Sequence, residues 1–262
     1  MSAPGFDEAR FESEREARGL TLGWPLSWEN ETQSTNDDAL AAAKNGAPHG
    51  AVFGAETQTR GRGRRGSEWV STPGAGLWCS LLLRPDLPAE LAPGLALCAG
   101  LAVREAVAAR VAAANVAVKW PNDVLANDRK LAGILVESQV SGSKLSSVII
   151  GIGINVTQTT FPDSLSSIAT SLTLLSASAL DREGLLADVL IDLETSLERL
   201  TARGLADIAE ALRPHDALLD RRLRVEGVEG VGAGIDAAGR LLLRTDLGEL
   251  RAIAAGHVER LD

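Results

Sequence analysis

Hydrophobic and polar positions change period several times along this chain, and the changes mark its elements. Residues 1–22 are mostly polar and read as a leader, helical or frayed. Behind Thr32–Asn36 the run Asp37-Asp38-Ala39-Leu40-Ala41-Ala42-Ala43-Lys44 ends at Asn45-Gly46, so cap-forming side chains in front and glycine behind predict a helix. Ala51–Thr57 and Leu77–Leu83 read as strands on either side of a polar loop, whereas Pro93 to about Ala114 spaces Leu97, Leu101, Ala102 and Val107 as a buried helix does. Short strands are then expected at Val116–Lys119, Asp123–Leu125, Lys130–Val140 and Leu145–Ile154, with bends at Asn127-Asp128 and Ser141-Gly142-Ser143. Leu186, Leu190, Leu193, Leu197 and Leu200 predict a helix from Asp181, and Leu205–Leu212 a shorter one ending near Pro214.

From Arg221 onward the pattern becomes short strands, Arg222–Val225, Leu241–Arg244 and Glu249–Ile253, with glycine turns expected at Gly230, Gly232, Gly234, Gly239 and Gly248. The expected class is α+β, a mixed sheet backed by helices followed by a small β-barrel. Three parts follow: the leader at 1–22, a main domain at 23–216 and a small domain at 217–262.

Composition narrows the function. With 262 residues and 45% hydrophobic content, the chain can build one sizeable core and a small satellite. Its net charge of -9 argues against a broad nucleic-acid surface. Arg60, Arg62, Arg64 and Arg65, interleaved with Gly61, Gly63 and Gly66, therefore form a local positive spot on an acidic body. Glycine lets backbone N–H groups turn toward a ligand, and forked guanidinium groups suit phosphate or carboxylate, so the run reads as an anion clamp that orders when an anion arrives. Cys79 and Cys98 sit in apolar stretches and read as buried thiols. The first twenty residues lack the apolar segment of a signal peptide, and no apolar run is read as a membrane span. A cytoplasmic protein without membrane contact is expected.

Gly61, Gly63 and Gly66 satisfy G-x-G-x-x-G, but Ser67-Glu68-Trp69-Val70 leads toward another strand, where a dinucleotide fingerprint would open a helix. A second cluster is Lys119-Trp120-Pro121-Asn122-Asp123, in which a strand ends in a cation and polar groups. Lys130 heads the next strand on the face of Ala132 and Ile134, as a solvated edge residue or as a site lysine. Gly151 and Gly153 interrupt the apolar run ending at Asn155, through tight packing or close approach of another group. Ser34-Thr35-Asn36 caps the first helix and has hydroxyl and amide groups to spare. His49, His215 and His257 lie away from these motifs in the sequence and carry no triad, and no metal-ligand spacing is present.

Taken in order, Ser34-Thr35-Asn36, Gln58 with Gly61–Gly66, Lys119–Asp123, Lys130–Leu135 and Gly151–Asn155 resemble the catalytic domain of the biotin protein ligase family over about residues 30–160. The resemblance implies a fold related to class II aminoacyl-tRNA synthetases with an SH3-like C-terminal barrel. It also implies a two-step reaction, in which the biotin carboxylate attacks the α-phosphorus of ATP and a carrier-protein lysine then takes the acyl group. By the same resemblance Lys130, Arg62 and Arg64 are catalytic. Ser34, Thr35, Asn36, Gln58, Arg62, Gly63, Arg64 and Lys130 bind biotin. Gly61, Arg65, Lys119, Asn122, Asp123 and Asn155 bind ATP, and Mg2+ arrives with the nucleotide. The implied partner is a biotin carboxyl carrier protein of acetyl-CoA carboxylase or a related carboxylase, and a homodimer is left open.

Ser67 stands where the family often has arginine, and Glu68 weakens the local field, which leaves a pyrophosphate contact in question. About thirty residues precede Ser34, fewer than a winged-helix domain needs, so no DNA binding is expected. Two rivals remain. One is a lipoate ligase on the same fold, whose Arg-Arg-x-x-Gly-Gly-Gly loop this chain lacks, and the other is a nucleotide-binding regulator without turnover. An RNA-binding or structural role is disfavoured, because the basic residues are not interleaved with aromatics and tyrosine is absent.

Overall fold

A computed structural model describes residues 5–175 and 180–262 of the chain. Along it α1 (Glu8–Arg18) precedes β1 (Leu26–Glu29), α2 (Thr35–Lys44), β2 (Val52–Ala55) and β3 (Gly76–Leu83). Next come α3 (Ala92–Ala108), β4 (Val116–Lys119), β5 (Asp123–Ala126), β6 (Arg129–Ser141) and β7 (Lys144–Asn155). The one-turn helices α4 (Asp163–Ser166) and α5 (Leu172–Leu175) lead to α6 (Arg182–Arg203) and α7 (Leu205–Leu212). The last strands are β8 (Arg222–Val225), β9 (Val228–Ile235), β10 (Leu241–Arg244), β11 (Leu250–Ile253) and β12 (Val258–Arg260).

The main sheet has seven strands in the order β1-β2-β3-β7-β6-β5-β4, with β1 and β2 parallel and the other neighbours antiparallel. Every residue of β3 is buried, because both faces of the sheet are covered, and this is why it reads as a continuous apolar run without alternation. Leu77, Leu81 and Leu83 join the large core shared with α3 and α6, while Leu82 packs with Ile149 against Ala39 and Ala43 of α2. The residues Ala89–Ala108 reach the length and mean hydropathy (1.5) of a membrane span, which the sequence reading did not anticipate. Most of that surface is spent on the sheet and α6, the environment of a core helix.

Residues 5–22 are not a loose leader. Phe11, on α1, is fully buried beside Leu20 and Leu22, and Asp7 caps the helix through Arg10 N at 3.0 Å. Arg10 pairs with Asp181, which caps α6, and Arg18 with Asp188 on that helix, at 2.7 and 3.0 Å. Phe6 stacks on Trp28 of β1 with centroids 3.7 Å apart, and its N–H donates to Glu56 Oε1 at 2.7 Å. Burial alone would push the Glu56 carboxyl up, but hydrogen bonds from Arg182, Phe6 N and Trp28 Nε1 outweigh it and hold it below the usual range. The sequence signal was present in the apolar positions Phe6, Phe11, Leu20 and Leu22, set among charges that masked them.

β8 to β12 form a five-stranded antiparallel sheet in the order β11-β10-β9-β8-β12. Its outer strands β11 and β12 do not pair with each other among the described residues, so the barrel-like sheet is not closed by hydrogen bonds there. Gly230, Gly232 and Gly234, expected as turns, lie inside β9. A Cβ on Gly232 would sit 1.9 Å from Leu218 O and one on Gly230 2.6 Å from Arg244 O, so close approach and not chain reversal requires glycine at these two positions. Strands β1 and β12 were not expected; each is short and lacks an alternating apolar signature. The small sheet is also not a separate core, since Leu218, Leu223, Val225 and Leu243 belong to the same apolar cluster as α3, and Trp120 Nε1 donates to Gly239 O at 2.9 Å.

Two outcomes follow for stability. Phe11→Ala should lower unfolding free energy by about 3–5 kcal/mol, read as a lower denaturant midpoint at unchanged slope; an unchanged midpoint would show that α1 is not docked. Asp192 on α6 is pushed up to about 6, first by burial and then by Glu105 and Asp188, with Arg110 opposing. The folded chain therefore holds this proton more tightly than the unfolded one, and the group lowers stability as pH rises from about 4 to about 6 and leaves it lowered above. Asp192→Asn should raise stability at neutral pH by on the order of 1 kcal/mol, after discount for solvent screening, and the gain should vanish below about pH 4. An equal gain at both pH values would refute this origin.

Candidate active site

The α2 face of the main sheet is open beyond the N-terminus of the helix, and there a cleft of about 780 Å³ lies against β6 and β7. Its floor is made by absence of side chains. A Cβ on Gly151 would lie 2.2 Å from Asn36 Oδ1, and Cβ atoms on Gly133 and Gly153 would lie 2.8 and 2.7 Å from the Trp69 indole. Gly133 and Gly153 are register partners on neighbouring strands, so one indole covers both. The glycines left open between tight packing and close approach thus serve close approach, with Asn36 and Trp69 laid directly on the sheet.

One end of the cleft is a hydrogen-bonded array. Ser34 begins α2 but makes no side-chain cap hydrogen bond, which differs from its expected capping role and leaves its hydroxyl at the cavity wall. Thr35 N and Oγ1 donate to Gln58 Oε1 at 3.0 and 3.2 Å, and Gln58 Nε2 donates to Ser71 Oγ at 3.0 Å. Asn36 Nδ2 donates to Glu137 Oε2 at 2.6 Å, while its Oδ1 lies 2.6 Å from Ser80 Oγ. The amide of Asn36 is therefore engaged on both sides, and it shapes the floor more than it reaches into the cavity.

The other end is cationic. Lys130 Nζ stands 2.7 Å from Asp123 Oδ1, close but off the axis of a hydrogen bond, and 5.3 Å from the centroid of the Trp69 ring. A bulge between Val124 and Leu125 pairs Lys130 with Leu125 and Ala132 with Val124. This breaks the expected alternation: Lys130 shares a face with Gly133, whose Cβ would lie 3.3 Å from Lys130 Cε, and not with the buried Ala132. Burial pulls the Lys119 pKa down, Asp123 opposes it, and the charges of Lys130 and Arg260 add to the fall. Arg64 is lowered by burial and by Arg65, against the pull of Asp123. An entering anion would relieve all of these repulsions.

The arginine run is already a small hairpin. Gly63 N donates to Ser67 O at 2.7 Å, Trp69 N to Gly61 O at 2.9 Å, and the backbones of Arg62 and Glu68 pair antiparallel. Arg64–Gly66 form a 3-10 turn at the tip, where Arg65 takes a left-handed conformation (φ 56°). The expectation that these residues order only with a ligand thus gives way to a hairpin with its own hydrogen bonds. Arg62 is held by Asp37 at 2.6 Å and faces Glu137 at 3.6 Å, and Arg65 pairs with Glu226 of the small sheet at 2.9 Å.

Two residues named from the sequence stand outside the cavity wall. Gly61 is buried, where a Cβ would lie 2.5 Å from Trp69 O. Asn155 Nδ2 donates to Thr170 O at 3.0 Å, and its Oδ1 accepts from Gln158 Nε2 at 3.3 Å. Thr170 N in turn donates to Lys130 O at 2.9 Å, and Lys130 N to Ile168 O at 2.7 Å, so Asn155 acts as a strap behind Lys130. Asn122 lines the cleft but commits its Nδ2 to Ile134 O at 2.7 Å, presenting its carbonyl oxygen. The sequence reading missed Trp69, Ser80 and Glu137, and also His257 and Arg260, which β12 and the turn before it bring to the wall. An aromatic directly after the arginine run was the signal for Trp69; distance along the chain concealed the others.

Residues 30–155 match the Biotin/lipoate A/B protein ligase family. The chain is similar to the biotin–[acetyl-CoA-carboxylase] ligase of Mycobacterium tuberculosis, 37% identical over 262 residues that cover 95% of each protein. It is also similar to the bifunctional ligase/repressor BirA of Bacillus spizizenii, 37% identical over 244 residues, 91% of this chain and 74% of that protein. Among solved structures, the biotin protein ligase from Aquifex aeolicus in complex with biotin and ATP matches with a TM-score of 0.76 and 29% identity, over 90% of this chain and 97% of that one.

If Asn155 is a strap, Asn155→Ala should speed limited proteolysis within residues 158–170 while lowering global stability by only about 1–3 kcal/mol. Unchanged cleavage in that segment would refute the strap.

Proposed function

Because the chain belongs to the biotin protein ligase family, we propose that its cleft condenses biotin with ATP to biotinyl-5'-AMP and passes the biotinyl group to a lysine of a biotin carboxyl carrier protein. The enzyme is an ATP-dependent biotin ligase. One observation carries the reading of its mechanism: uncharged donors and acceptors on Ser34, Thr35 and Gln58 and a cluster of cations around Lys130 and Arg64 line one cleft, with Trp69 laid on its glycine floor. Such a cleft suits a molecule with a polar uncharged head, an apolar middle and an anionic tail that must meet a second anion.

Ser34, Thr35 and Gln58 face the ureido ring, whose N–H and C=O groups need partners that donate and accept. Trp69 and the glycine floor hold the apolar part. Lys130 bridges the biotin carboxylate and the α-phosphate, which at about 4 Å and an effective dielectric near 20 would repel by about 4 kcal/mol per pair of charges. Asp123 orients Lys130 before substrate arrives. Arg62, Arg64 and Arg65, with the backbone of Gly63, bind phosphate and carboxylate oxygens, and Lys119 and the Asn122 oxygen border the nucleotide. Mg2+ enters as part of the nucleotide substrate. In step one the carboxylate oxygen forms a bond to the α-phosphorus and pyrophosphate leaves. In step two the carrier amine forms the amide and AMP leaves.

Residues 23–216 carry this chemistry, and residues 217–262 supply a wall of the cleft through His257 and Arg260. A cytoplasmic location fits the need for ATP and the two thiols, Cys79 and Cys98, which burial pushes up to about 12.

Incubation with biotin, Mg2+-ATP and a biotin carboxyl carrier domain should label the carrier and release pyrophosphate only when biotin is present. Lys130→Ala should slow pyrophosphate release by about 10²–10³-fold with an unchanged unfolding midpoint. Turnover of lipoate in preference to biotin, or a Lys130→Ala variant at the wild-type rate, would overturn the reading.

A further inference from the structure

Five non-glycine residues among those described hold a positive φ, and three of them, Asn127, Asp128 and Asp220, are of types that accept it readily. The other two are long charged side chains, Arg65 (φ 56°) and Glu226 (φ 49°), and they bind each other: Arg65 Nη2 donates to Glu226 Oε1 at 2.9 Å. Each sits at the tip of a hairpin. Arg65 lies in the 3-10 turn of the arginine hairpin. Glu226-Gly227 is the two-residue turn between β8 and β9, where Val225 pairs with Val228 and both central residues have positive φ, a geometry that favours Asn-Gly or Asp-Gly. A left-handed backbone at an ill-suited residue points to a task for its side chain, and at both tips that side chain is the one that reaches across. Among the described residues no other hydrogen bond or ion pair joins residues 60–69 to the small sheet.

Glu226 does not line the cleft, but its two partners do. Besides Arg65 it accepts from His257 N at 3.2 Å, and a Cβ on Gly256 would lie 2.9 Å from Glu226 Cγ, so the turn leading into β12 is seated on the same side chain. The two bonds hold the Glu226 carboxyl below its usual range, Arg65 the more strongly. We propose that Glu226 is a positioning residue that latches the arginine hairpin to the small sheet, so that the cleft wall stays closed over the adenylate between its formation and its transfer to the carrier. The inference rests on the reading of the cleft as a site that makes biotinyl-5'-AMP, and it gives the small sheet a task in that reaction: keeping a hydrolysable anhydride from escaping or meeting water. The sign of the effect sets a latch apart from simple electrostatics. A carboxylate beside an anion site repels the bound anion, so by charge alone its removal would tighten binding, whereas a latch requires its removal to loosen it. Both side chains are about half exposed, which limits the expected effect to about threefold.

The test loads the full chain with biotin and Mg2+-ATP radiolabelled on the α-phosphate, removes free nucleotide by rapid gel filtration and follows the loss of bound label without carrier. It compares wild type, Glu226→Asn, Glu226→Gly, Arg65→Gln and the Arg65→Gln/Glu226→Asn double variant. Asparagine and glycine suit the turn better than glutamate and offer Arg65 no charge. The two Glu226 variants should therefore keep or raise the thermal midpoint while shedding adenylate about threefold faster. Trypsin should cut the arginine hairpin of both, in unloaded protein, about threefold faster than that of wild type. In the Arg65→Gln background Glu226→Asn should change retention by less than about 1.5-fold, because the latch is already open. Retention unchanged or lengthened in the Glu226 variants, unchanged tryptic cutting, or a full further loss without Arg65 would each overturn the latch while wild type still forms adenylate. Wild type that forms none overturns the functional reading, and the tryptic comparison then decides by itself whether Glu226 holds the hairpin.

Discussion

Positive charge held in a partly dry cleft is the constraint around which this molecule is organised. Lys119, Lys130 and Arg64 approach one another near Asp123, with Arg260 arriving from the small sheet. In water such a group would spread apart on flexible stems. Here the strands β4, β5 and β6 fix the backbone of Lys119, Asp123 and Lys130 and the arginine hairpin carries Arg64, and burial, with the charge of neighbouring cations, lowers the proton affinity of Lys119 and Arg64. Anionic groups entering the cleft would offset that cost.

Rigid support for these charges comes from two unlike devices. Below the site, glycines on β6 and β7 let Trp69 and Asn36 lie on bare backbone, which places an aromatic face beside Lys130 and a buried amide under Thr35. Beside the site, Asn155 and the Thr170 segment brace the backbone of Lys130. Neither device touches both reacting groups. Each removes freedom from a residue that does, which is how a site reaches productive geometry before substrate binds.

The flanking parts of the chain are tied into the same body. α1 buries Phe11 against the core and exchanges ion pairs with α6, and Glu56 joins Phe6, Trp28 and Arg182 at one edge of the main sheet. At the opposite side Arg65 and Glu226 link the arginine hairpin to the small sheet, and Trp120 links that sheet to the strand end carrying Lys119. A disturbance of the small sheet therefore reaches the cleft through these two connections and through His257 and Arg260, which line it.

Much of this was legible in the amino-acid sequence. Strands Val116–Lys119, Arg222–Val225 and Leu241–Arg244 and helix Leu205–Leu212 fall where periodicity and turn residues put them, since a one-sided or fully buried element leaves its period in the order of residues. The arginine run, the Lys119–Asp123 strand end and Lys130 announced an anion site because charge and glycine at such density are poor material for a core. What the sequence could not tell was any fact that depends on two distant segments meeting. The bulge that turns Lys130 toward Gly133, the glycines of β9 pressed on other backbones, the commitment of Asn155 to Thr170, and the meeting of Asn36, Ser80 and Glu137 were all decided by tertiary packing. Local order in a chain records the period and chemistry of each element, but the register between elements follows from which surfaces fit, and that is settled only when they are brought together.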